Sequence, residues 1–544
     1  MTPSSADVLI IGSGVAAAAI AERLLRHDAR ASILIVEAGG KVKLKDFGLW
    51  QNYLVTGKLP YDPYKDFNYP DRDHPGENAS TGGTQIPLAG ARVMTYGGST
   101  IHWGGWSFRL KPEDFRLYSQ TGESIDWPIS YSDLEPYYSA AEHYIGVSGD
   151  SSDPTVPRNR AYPFPAFPFT LEDQPIANAM KACGIPYSHL PIARHGMTQT
   201  ESRHAPCQTT GTCKYCPFGA RYAAGNFLDD MTEWGNFPNL HLRVNTIVEH
   251  ILVDAKRTAI GIQVVTRGSD VREVLTGKTI IVAGGTIESS KLLLRSRSSG
   301  WQQGIGNDAD LVGRNFITHP YFIFTGAIAE NPLRLQTEMD FPTLCSRHFD
   351  SEAEQKAGKF ILVNPPGVPS SLSLVQQMQN GVRRPKLDAA ITGSNQIQLH
   401  GMLEVFSRFN NRVSNLDRRN HLGMYETQVD YTQDSTFDSR MAEIQGHVAA
   451  IFDKAGASLV GKPSVSWRAD HAACTCRMSR DDAQGVVDPD LKIHGMDNLY
   501  VCSNAVFDST GAVNPTLTLT ALAIRLADHL IHGGAAPLAA GGPP

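Results

Sequence analysis

The sequence predicts an α/β protein with a Rossmann-like unit at its N-terminus and a second, sheet-rich α+β region. Residues 8–11 have the pattern of a buried strand, a glycine-rich turn follows, and residues 16–25 have the pattern of a helix that leads to a second strand ending at Glu37. Between residues 246 and 294 apolar and polar residues alternate around a hairpin at 267–269, and the stretch ends in a strand, TIIVAGG, and a helix, IESSKLLLRS. Residues 320–460 mix strand patterns with helices. Strands that alternate with helices are typical of a parallel sheet, which sets the fold class.

The composition excludes several classes of protein. A chain of 544 residues with 41% hydrophobic residues can bury two domains, or one large domain with an inserted lobe, and is not disordered as a whole. The net charge is −6 and no run of five Lys or Arg occurs, which argues against a nucleic-acid partner. No apolar run reaches the roughly 18 residues that a membrane span needs, and residues 1–7 lack the features of a signal peptide. The chain's own sequence therefore predicts a cytoplasmic location, or a periplasmic one if a signal-bearing partner subunit carries it across the membrane.

Three further segments give local expectations. Residues 41–89 are rich in Pro, Gly, Asp and Tyr without a sustained period, which predicts a long ordered loop that belongs to a site. Between residues 126 and 149, Ser132 and Asp133 are expected to cap a helix. The segment 498–532 predicts a strand, a polar loop and a terminal helix, and the tail at 534–544 is expected to be flexible.

The turn after the first strand has the pattern of a dinucleotide site. It reads GSGVAA from Gly12 to Ala17 and stands between a strand and a helix, as such a site requires. Gly12 permits the tight turn, Gly14 lets the backbone approach a pyrophosphate, and the phosphate then meets the positive end of the helix. Glu37 stands where an acid on the ribose hydroxyls is expected, and it disfavours the 2′-phosphate of NADP. A glycine turn in an ordinary βαβ unit is the alternative.

Other motifs carry a family resemblance. They are GGSTIHW from Gly97, the stretch IIVAGGTIESSKLLLRS, VGRN with the later HP pair, and a C-terminal block that begins HAACTCRMS and ends NPTLTLTALAIRLADHL. In this order the chain resembles the glucose–methanol–choline (GMC) oxidoreductase family over nearly its whole length, most weakly at 41–89 and 320–400. The resemblance implies flavin adenine dinucleotide (FAD) rather than NAD. It also implies an FAD-binding Rossmann-like domain with a sheet-rich α+β substrate-binding domain.

Within the family, the sugar-oxidising branch of pyranose oxidases and bacterial sugar dehydrogenase flavin subunits fits best. His471 stands in H-x-x-C-T, where most members have H-x-x-G-T, and its partner Asn514 gives the His–Asn form that is similar to pyranose oxidase. His102 matches the position at which pyranose oxidase attaches its flavin, and a histidine that packs near the flavin without a bond is the alternative. The resemblance implies cofactor contacts at Gly12, Gly14, Ala17, Glu37, Gly97, Gly98, Ser99, His102, Asn504, Asn514 and Thr516.

The catalytic pair suits alcohol oxidation. Removing the hydroxyl proton while hydride leaves the carbon for flavin N5 requires a base, and neutral imidazole accepts protons at physiological pH. His471 is the expected base, and Asn514 is expected to orient the hydroxyl through its amide. The alternative is a structural histidine, with Asn514 as a helix cap before a proline.

A cysteine loop has the spacing C-x5-C-x2-C-P at Cys207, Cys213 and Cys216. Zinc normally takes four ligands, and no fourth stands at finger spacing, whereas three thiolates suit an iron–sulfur cluster, here a 3Fe–4S cluster. The loop looks like one in the bacterial sugar dehydrogenases that carry such a cluster. Thiols without metal are the alternative.

The resulting hypothesis is FAD-dependent oxidation of a secondary ring hydroxyl of a sugar or glycoside to a keto-sugar, with electrons passed to an acceptor. The implied partners are a small chaperone-like subunit and a cytochrome electron acceptor. An oxygen-using oxidase and a non-catalytic flavin electron-relay subunit are the alternatives. The predicted FAD-binding domain comprises 1–150, 203–318 and 462–533, and the substrate-binding domain comprises 151–202 and 319–461.

Overall fold

The computed structural model describes residues 3–42, 45–59, 78–88, 91, 93–196, 205–235, 237–329, 339–350, 358–366, 371–391, 395–420 and 423–533. The tail expected to be flexible, 534–544, lies outside them. The strands are β1 (Ser5–Ile11), β2 (Ile33–Val36), β3 (Asn78–Thr81), β4 (Ser148–Gly149), β5 (Phe164–Pro165), β6 (Ser188–His189), β7 (Leu240–Arg243), β8 (Thr246–Val253), β9 (Ala259–Thr266), β10 (Arg272–Val282), β11 (Pro320–Ile328), β12 (Leu344–Ser346), β13 (Phe360–Asn364), β14 (Gln396–Leu403), β15 (Arg412–Arg419), β16 (Tyr425–Asp430), β17 (Ala457–Leu459), β18 (Ser464–Trp467) and β19 (Leu499–Val501). The helices are α1 (Val15–His27), α2 (Phe47–Thr56), α3 (Leu117–Thr121), α4 (Tyr131–Ile145), α5 (Gln174–Ala182), α6 (Ala224–Asp229), α7 (Gly285–Arg295), α8 (Ser371–Gln379), α9 (Arg384–Ile391), α10 (Phe437–Lys454) and α11 (Thr516–His532).

The first sheet has the order β7-β2-β1-β10-β9-β8, and β19 also pairs with β10. Strands β7, β2, β1, β10 and β19 are parallel, and the hairpin strands β9 and β8 join them antiparallel. The residues of β2 are fully buried apolar side chains, as expected of a parallel strand covered on both faces. The predicted α/β class is confirmed.

The parallel strands bring four turns to one edge of the first sheet. The turns after β1, β2, β10 and β19 all lie at the carboxyl ends of their strands, which is where ligands bind in open α/β sheets. Helices α1 and α11 pack against each other, and α11 also packs against α4. This arrangement points the N-termini of α1 and α11 toward the same edge.

The second sheet is antiparallel, with the order β17-β11-β14-β13-β12-β6, and β18 also pairs with β11. One face packs on α10 and α5 through a cluster that includes Phe322, Phe324 and Val448. The other face contributes Met402 and Tyr321 to the core of the first sheet. Strand β18 lies within the range 462–533, and the predicted domain boundaries stay a prediction.

Two local expectations differ from the structure. The segment 41–89 is not without regular structure, because α2 forms there with Asp46 accepting a hydrogen bond from Leu49 N, and β3 pairs with β16; residues 60–77 lie outside the described part. Helix α4 is capped by Ser130, whose side chain accepts from Asp133 N, so the N-cap is two residues before Ser132. Asp133 takes part in the cap as predicted, because its carboxylate accepts from Ser130 N at 2.8 Å. Among the described helices, none is long and apolar enough to cross a membrane.

Candidate active site

A cavity of ≈ 500 Å³ opens at the carboxyl edge of the first sheet. Its wall takes residues from the turns after β1, β2, β10 and β19, and from the N-termini of α1 and α11. The wall includes most of the residues predicted to contact a cofactor, namely Gly12, Gly14, Glu37, Gly98, Ser99, His102, Asn504, Asn514 and Thr516. The catalytic candidate His471 lies in the same wall.

The glycine turn is shaped by two different constraints. Gly12 has φ +102°, and a Cβ there would lie 2.6 Å from Ala283 O, so only glycine fits. Gly14 precedes α1, and a Cβ there would have no atom within 4 Å. The open side of Gly14 belongs to the cavity, where a pyrophosphate would meet the unpaired N–H groups of α1.

Glu37 is held at the cavity wall by three hydrogen bonds. Its carboxylate accepts from Ser13 N at 3.0 Å, from Ser13 Oγ at 2.7 Å and from Gly39 N at 2.7 Å. Burial raises the pKa of Glu37, while these bonds favour its charged form. A carboxylate fixed at the end of β2 is what recognition of a ribose diol requires.

Two predicted contacts lie behind the cavity wall rather than in it. Ala17 is fully buried in α1 and packs in the core. Gly97 has φ +87°, and its N–H donates to Ser13 Oγ at 3.0 Å. Gly98 would bring a Cβ to 3.2 Å from Gly14 Cα, so the two glycine segments pack against each other directly.

The predicted catalytic pair is in contact. Asn514 Nδ2 lies 3.0 Å from His471 Nε2, across a sequence separation of 43 residues. Burial lowers the pKa of His471 well below its usual range, and the positive charge of Arg468 acts in the same direction. The imidazole is therefore neutral at pH 7 and has a ring nitrogen directed at the amide of Asn514.

The helix-cap alternative for Asn514 is not what the structure has. Helix α11 begins at Thr516 and its cap position is Pro515, without a side-chain capping bond. Asn514 instead turns its amide to His471, and its Oδ1 is buried without a hydrogen-bond partner among the described residues. Asn504 Oδ1 and His102 Nε2, also in the wall, are in the same state within that part of the chain.

A second histidine lies behind the first. His319 Nδ1 is 3.0 Å from His471 Nδ1, and His319 Nε2 is 2.8 Å from Gly511 O and 3.0 Å from Thr510 Oγ1. Because a carbonyl oxygen can only accept, His319 Nε2 carries its proton and Nδ1 accepts. His471 therefore donates from Nδ1, and its Nε2 keeps the lone pair.

Among the wall residues that sequence reasoning did not predict are Trp103, Arg468 and Asp470. Trp103 donates from Nε1 to Tyr222 O at 2.8 Å. Arg468 and Asp470 form an ion pair of 2.9 Å beside His471, and burial raises the pKa of Asp470. Trp103 directly follows His102, and the ion pair lies within three residues of His471, so proximity to a predicted site residue was the available indication.

His102 lies in the cavity wall at the end of the turn that begins at Gly98. Burial lowers the pKa of His102 to about 4, and the positive charges of Arg221, Lys214 and Arg468 add to the effect. A neutral imidazole whose buried Nε2 has no partner in the described part of the chain fits either predicted role, attachment to a flavin or packing against it.

The cysteine loop does not fit an iron–sulfur cluster as the structure places it. Arg194 donates to Cys207 Sγ at 3.4 Å and to Cys213 Sγ at 3.1 Å, and it pairs with Asp340 at 3.1 Å. Among the described residues, no group of three or more Cys, His, Asp or Glu is placed to hold a metal ion. The Arg194 guanidinium thus neighbours two of the three predicted ligands.

Cys474, which departs from the H-x-x-G-T pattern, has a backbone conformation that favours glycine. Its φ is +73°, in the left-handed region, and its N–H donates to Asn504 O at 3.1 Å. The cysteine side chain at this turn is fully buried.

The fold and the cavity define a dinucleotide-binding oxidoreductase, and comparisons with known proteins agree. Two GMC oxidoreductase family models match residues 169–321 and 407–523. The fructose dehydrogenase large subunit of Gluconobacter japonicus is 27% identical over 543 residues, which cover 97% of this chain and 98% of that protein. The 6'''-hydroxyparomomycin C oxidase of Streptomyces lividus is 26% identical, covering 97% of this chain and 93% of that protein.

Solved structures share the fold. Pyridoxine 4-oxidase from Mesorbium loti has a TM-score of 0.64 at 16% identity, covering 97% of this chain and 99% of that chain. Formate oxidase of Aspergillus oryzae has a TM-score of 0.65 at 17% identity, covering 98% and 99%. The chain belongs to the GMC oxidoreductase family, and it is an FAD-dependent oxidoreductase that acts on CH–OH donors.

The residues present fit FAD. The glycine turn, Glu37 and the N-terminus of α1 suit the diphosphate and ribose. The wall near His471 carries buried polar atoms that have no hydrogen-bond partner among the described residues. When bound, FAD accepts the hydride of the oxidised carbon. The chain's own contribution beside it is a neutral imidazole and an amide at hydrogen-bonding distance.

Proposed function

We propose that this protein oxidises a secondary ring hydroxyl of a sugar or glycoside to a keto-sugar, with His471 as the base, and passes the electrons to an acceptor other than oxygen. The observation that carries the proposal is the contact between Asn514 Nδ2 and the unprotonated Nε2 of a neutral His471. One amide and one imidazole can share a single hydroxyl, the first orienting it and the second accepting its proton.

The roles of the pair follow from their chemistry. His471 Nε2 holds a lone pair because the ring proton of His471 is on Nδ1, which donates a hydrogen bond to His319 Nδ1. A substrate hydroxyl that displaces the amide from Nε2 would donate its proton there, and Asn514 Nδ2 would donate to the hydroxyl oxygen. General-base catalysis of this kind contributes about 10²–10⁴-fold to a rate.

The sugar and the acceptor are supported by named relatives. Fructose dehydrogenase large subunit is a dehydrogenase that acts on a sugar, and it belongs to a protein of more than one subunit, which supports an electron-accepting partner subunit for this chain. An oxygen-using oxidase is the second candidate, because 6'''-hydroxyparomomycin C oxidase and paromamine 6'-oxidase are also similar over almost the whole chain. The proposed reaction does not depend on an iron–sulfur cluster. The cluster stays a prediction, which analysis of iron and acid-labile sulfide would test.

The test is anaerobic bleaching of the bound flavin across a panel of sugars and glycosides, with the oxidised carbon of each product identified. We expect bleaching by at least one sugar and a ketone at a ring carbon. Failure of every sugar, with bleaching by a simple alcohol, would contradict the substrate class. Turnover with an artificial acceptor that far exceeds peroxide release in air is expected of a dehydrogenase, and the reverse ratio would favour the oxidase.

Two finer features stay predictions with direct assays. Covalent attachment through His102 would leave flavin in acid-precipitated protein, and His102→Ala would release it. A periplasmic location would require export together with a signal-bearing partner subunit. Fractionation of cells that express the chain with and without such a subunit would reveal this dependence.

A further inference from the structure

A line of hydroxyl, imidazole and amide groups crosses one face of the second sheet. The Tyr321 hydroxyl on β11 lies 2.7 Å from His400 Nδ1 on β14, and His400 Nε2 lies 2.9 Å from Gln398 Oε1. Because the amide oxygen only accepts, His400 Nε2 carries its proton and Nδ1 accepts from the tyrosine hydroxyl. The phenolic oxygen of Tyr321 and the amide nitrogen of Gln398 remain suited to bind hydroxyl groups of a ligand.

This face is open at its edge. Side chains of a strand alternate, so Tyr321 points away from the apolar core that takes Phe322. Strand β18 places Ser466 opposite Tyr321 and Ser464 opposite Ile323, and both serines are exposed. Met402 and one side of Tyr321 pack on the core of the first sheet, but Tyr321, His400 and Gln398 are each only partly buried, so a ligand beside these serines can reach the line.

The line starts beside the catalytic base. His319, whose side chain lies 3.0 Å from His471, precedes Tyr321 by two residues, and such residues share a face of an extended chain about 7 Å apart. The positive charge of Arg468 acts on both Tyr321 and His471. It opposes the rise that burial causes in the pKa of Tyr321 and adds to the fall that burial causes in the pKa of His471. Met402 is opposite Tyr321, and the four residue steps along β14 from Met402 to Gln398 extend the line by about 13 Å.

The groups of the line are uncharged at neutral pH. Burial lowers the pKa of His400 to about 4 and raises that of Tyr321. Neutral donors and acceptors suit hydroxyl groups and give no ion pair to a phosphate or carboxylate. The line is also longer than one pyranose ring, so a single ring at His471 leaves part of it without a ligand.

We propose that Tyr321, His400 and Gln398 form a subsite for the hydroxyl groups of a second sugar unit, linked glycosidically to the ring that is oxidised at His471. The inference rests on the proposed function, because it extends the substrate and leaves the reaction unchanged. The preferred substrate is accordingly a disaccharide or larger glycoside.

The test compares one monosaccharide with a disaccharide that presents the same ring for oxidation, using holoenzyme carrying Tyr321→Phe or Gln398→Leu. Removing one hydrogen-bonding group is expected to lower kcat/KM for the disaccharide about tenfold, through KM, and for the monosaccharide less than about twofold. Tyr118→Phe is the matched control, because Tyr118 is 57% exposed on α3, and it should change neither value. Equal losses on both substrates, no loss on the disaccharide, or a wild-type enzyme with no preference for the disaccharide would overturn the subsite.

The subsite and the proposed function can fail separately. If wild-type protein oxidises no sugar, the proposed function fails, and the subsite is then tested by titrating the same disaccharide against the flavin absorbance of the holoenzyme. Weaker binding by Tyr321→Phe than by Tyr118→Phe would support the subsite. Equal binding by the two variants would overturn it.

Discussion

His471 and His319 meet through their Nδ1 atoms at 3.0 Å, and this contact assigns the protons of both rings. The carbonyl of Gly511 must accept from His319 Nε2. His319 Nδ1 is therefore an acceptor and takes a hydrogen bond from the N–H of His471 Nδ1. We propose His319 as a positioning residue that keeps the lone pair of the proposed base His471 at Nε2, where Asn514 lies.

Substitutions at His319 can separate positioning from structure. The amide oxygen of His319→Asn replaces the Nδ1 acceptor, whereas His319→Gln keeps the group that bonds Gly511 and loses that acceptor. We expect His319→Gln to lower kcat about 10–100-fold with little change in KM, because the wrong tautomer turns a proton toward the substrate hydroxyl. His319→Asn should retain most of the rate, and equal rates for the two variants would show that the contact does not position the base.

Asn514→Asp should shift the pH dependence of the reaction. The base must be unprotonated, and the lowered pKa of His471 means that activity is lost only as the pH falls well below 6.5. A carboxylate about 3 Å from Nε2 favours the imidazolium and moves the acidic limb of kcat/KM upward by about 1–3 pH units. Asn514→Ala should lower the rate without that shift, so the two pH–rate profiles form the measurement. An unmoved limb in Asn514→Asp would contradict the assignment of the base.

Alanine at the two glycines of the first turn should have different effects. Gly12→Ala forces a Cβ against Ala283 O at φ +102°, and we expect it to lower the free energy of unfolding by about 2 kcal/mol or more. Gly14→Ala has open space for its Cβ, so the apoprotein should unfold within about 1 kcal/mol of wild type, while flavin retention falls because the methyl group occupies the cavity. Chemical denaturation of apoprotein and the flavin-to-protein ratio measure the two effects. Similar stability losses in both variants would contradict this account.

Local sequence patterns predicted much of the fold and the two residues of the catalytic pair. The strand, turn and helix around Gly12 follow from apolar periodicity and glycine spacing, which are properties of a few consecutive residues. His471 and Asn514 were predicted from a motif, and they are in contact across 43 residues, near the turn that Cys474 makes at φ +73°. Sequence alone indicated that a residue other than glycine stands there but not that it keeps the glycine conformation.

Contacts between segments far apart in the chain could not be predicted from the sequence. The hydrogen bond between His319 and His471 joins residues 152 positions apart in sequence. It depends on how the start of β11 packs against the segment that carries His471. The position of Arg194 between Cys207 and Cys213 depends on tertiary packing, whereas cysteine spacing alone suggested a metal. The cap of α4 was misplaced by two residues because Ser130 and Ser132 are equally good caps by residue type, and only the backbone distinguishes them.

We propose that a neutral His471 accepts the hydroxyl proton during alcohol oxidation. The rate of anaerobic flavin bleaching by a saturating sugar in His471→Ala tests this role, measured by stopped flow on protein with the same flavin content as wild type. We expect a rate about 10²–10⁴-fold lower than that of wild type. A near-normal rate in that variant would show that His471 is not the base.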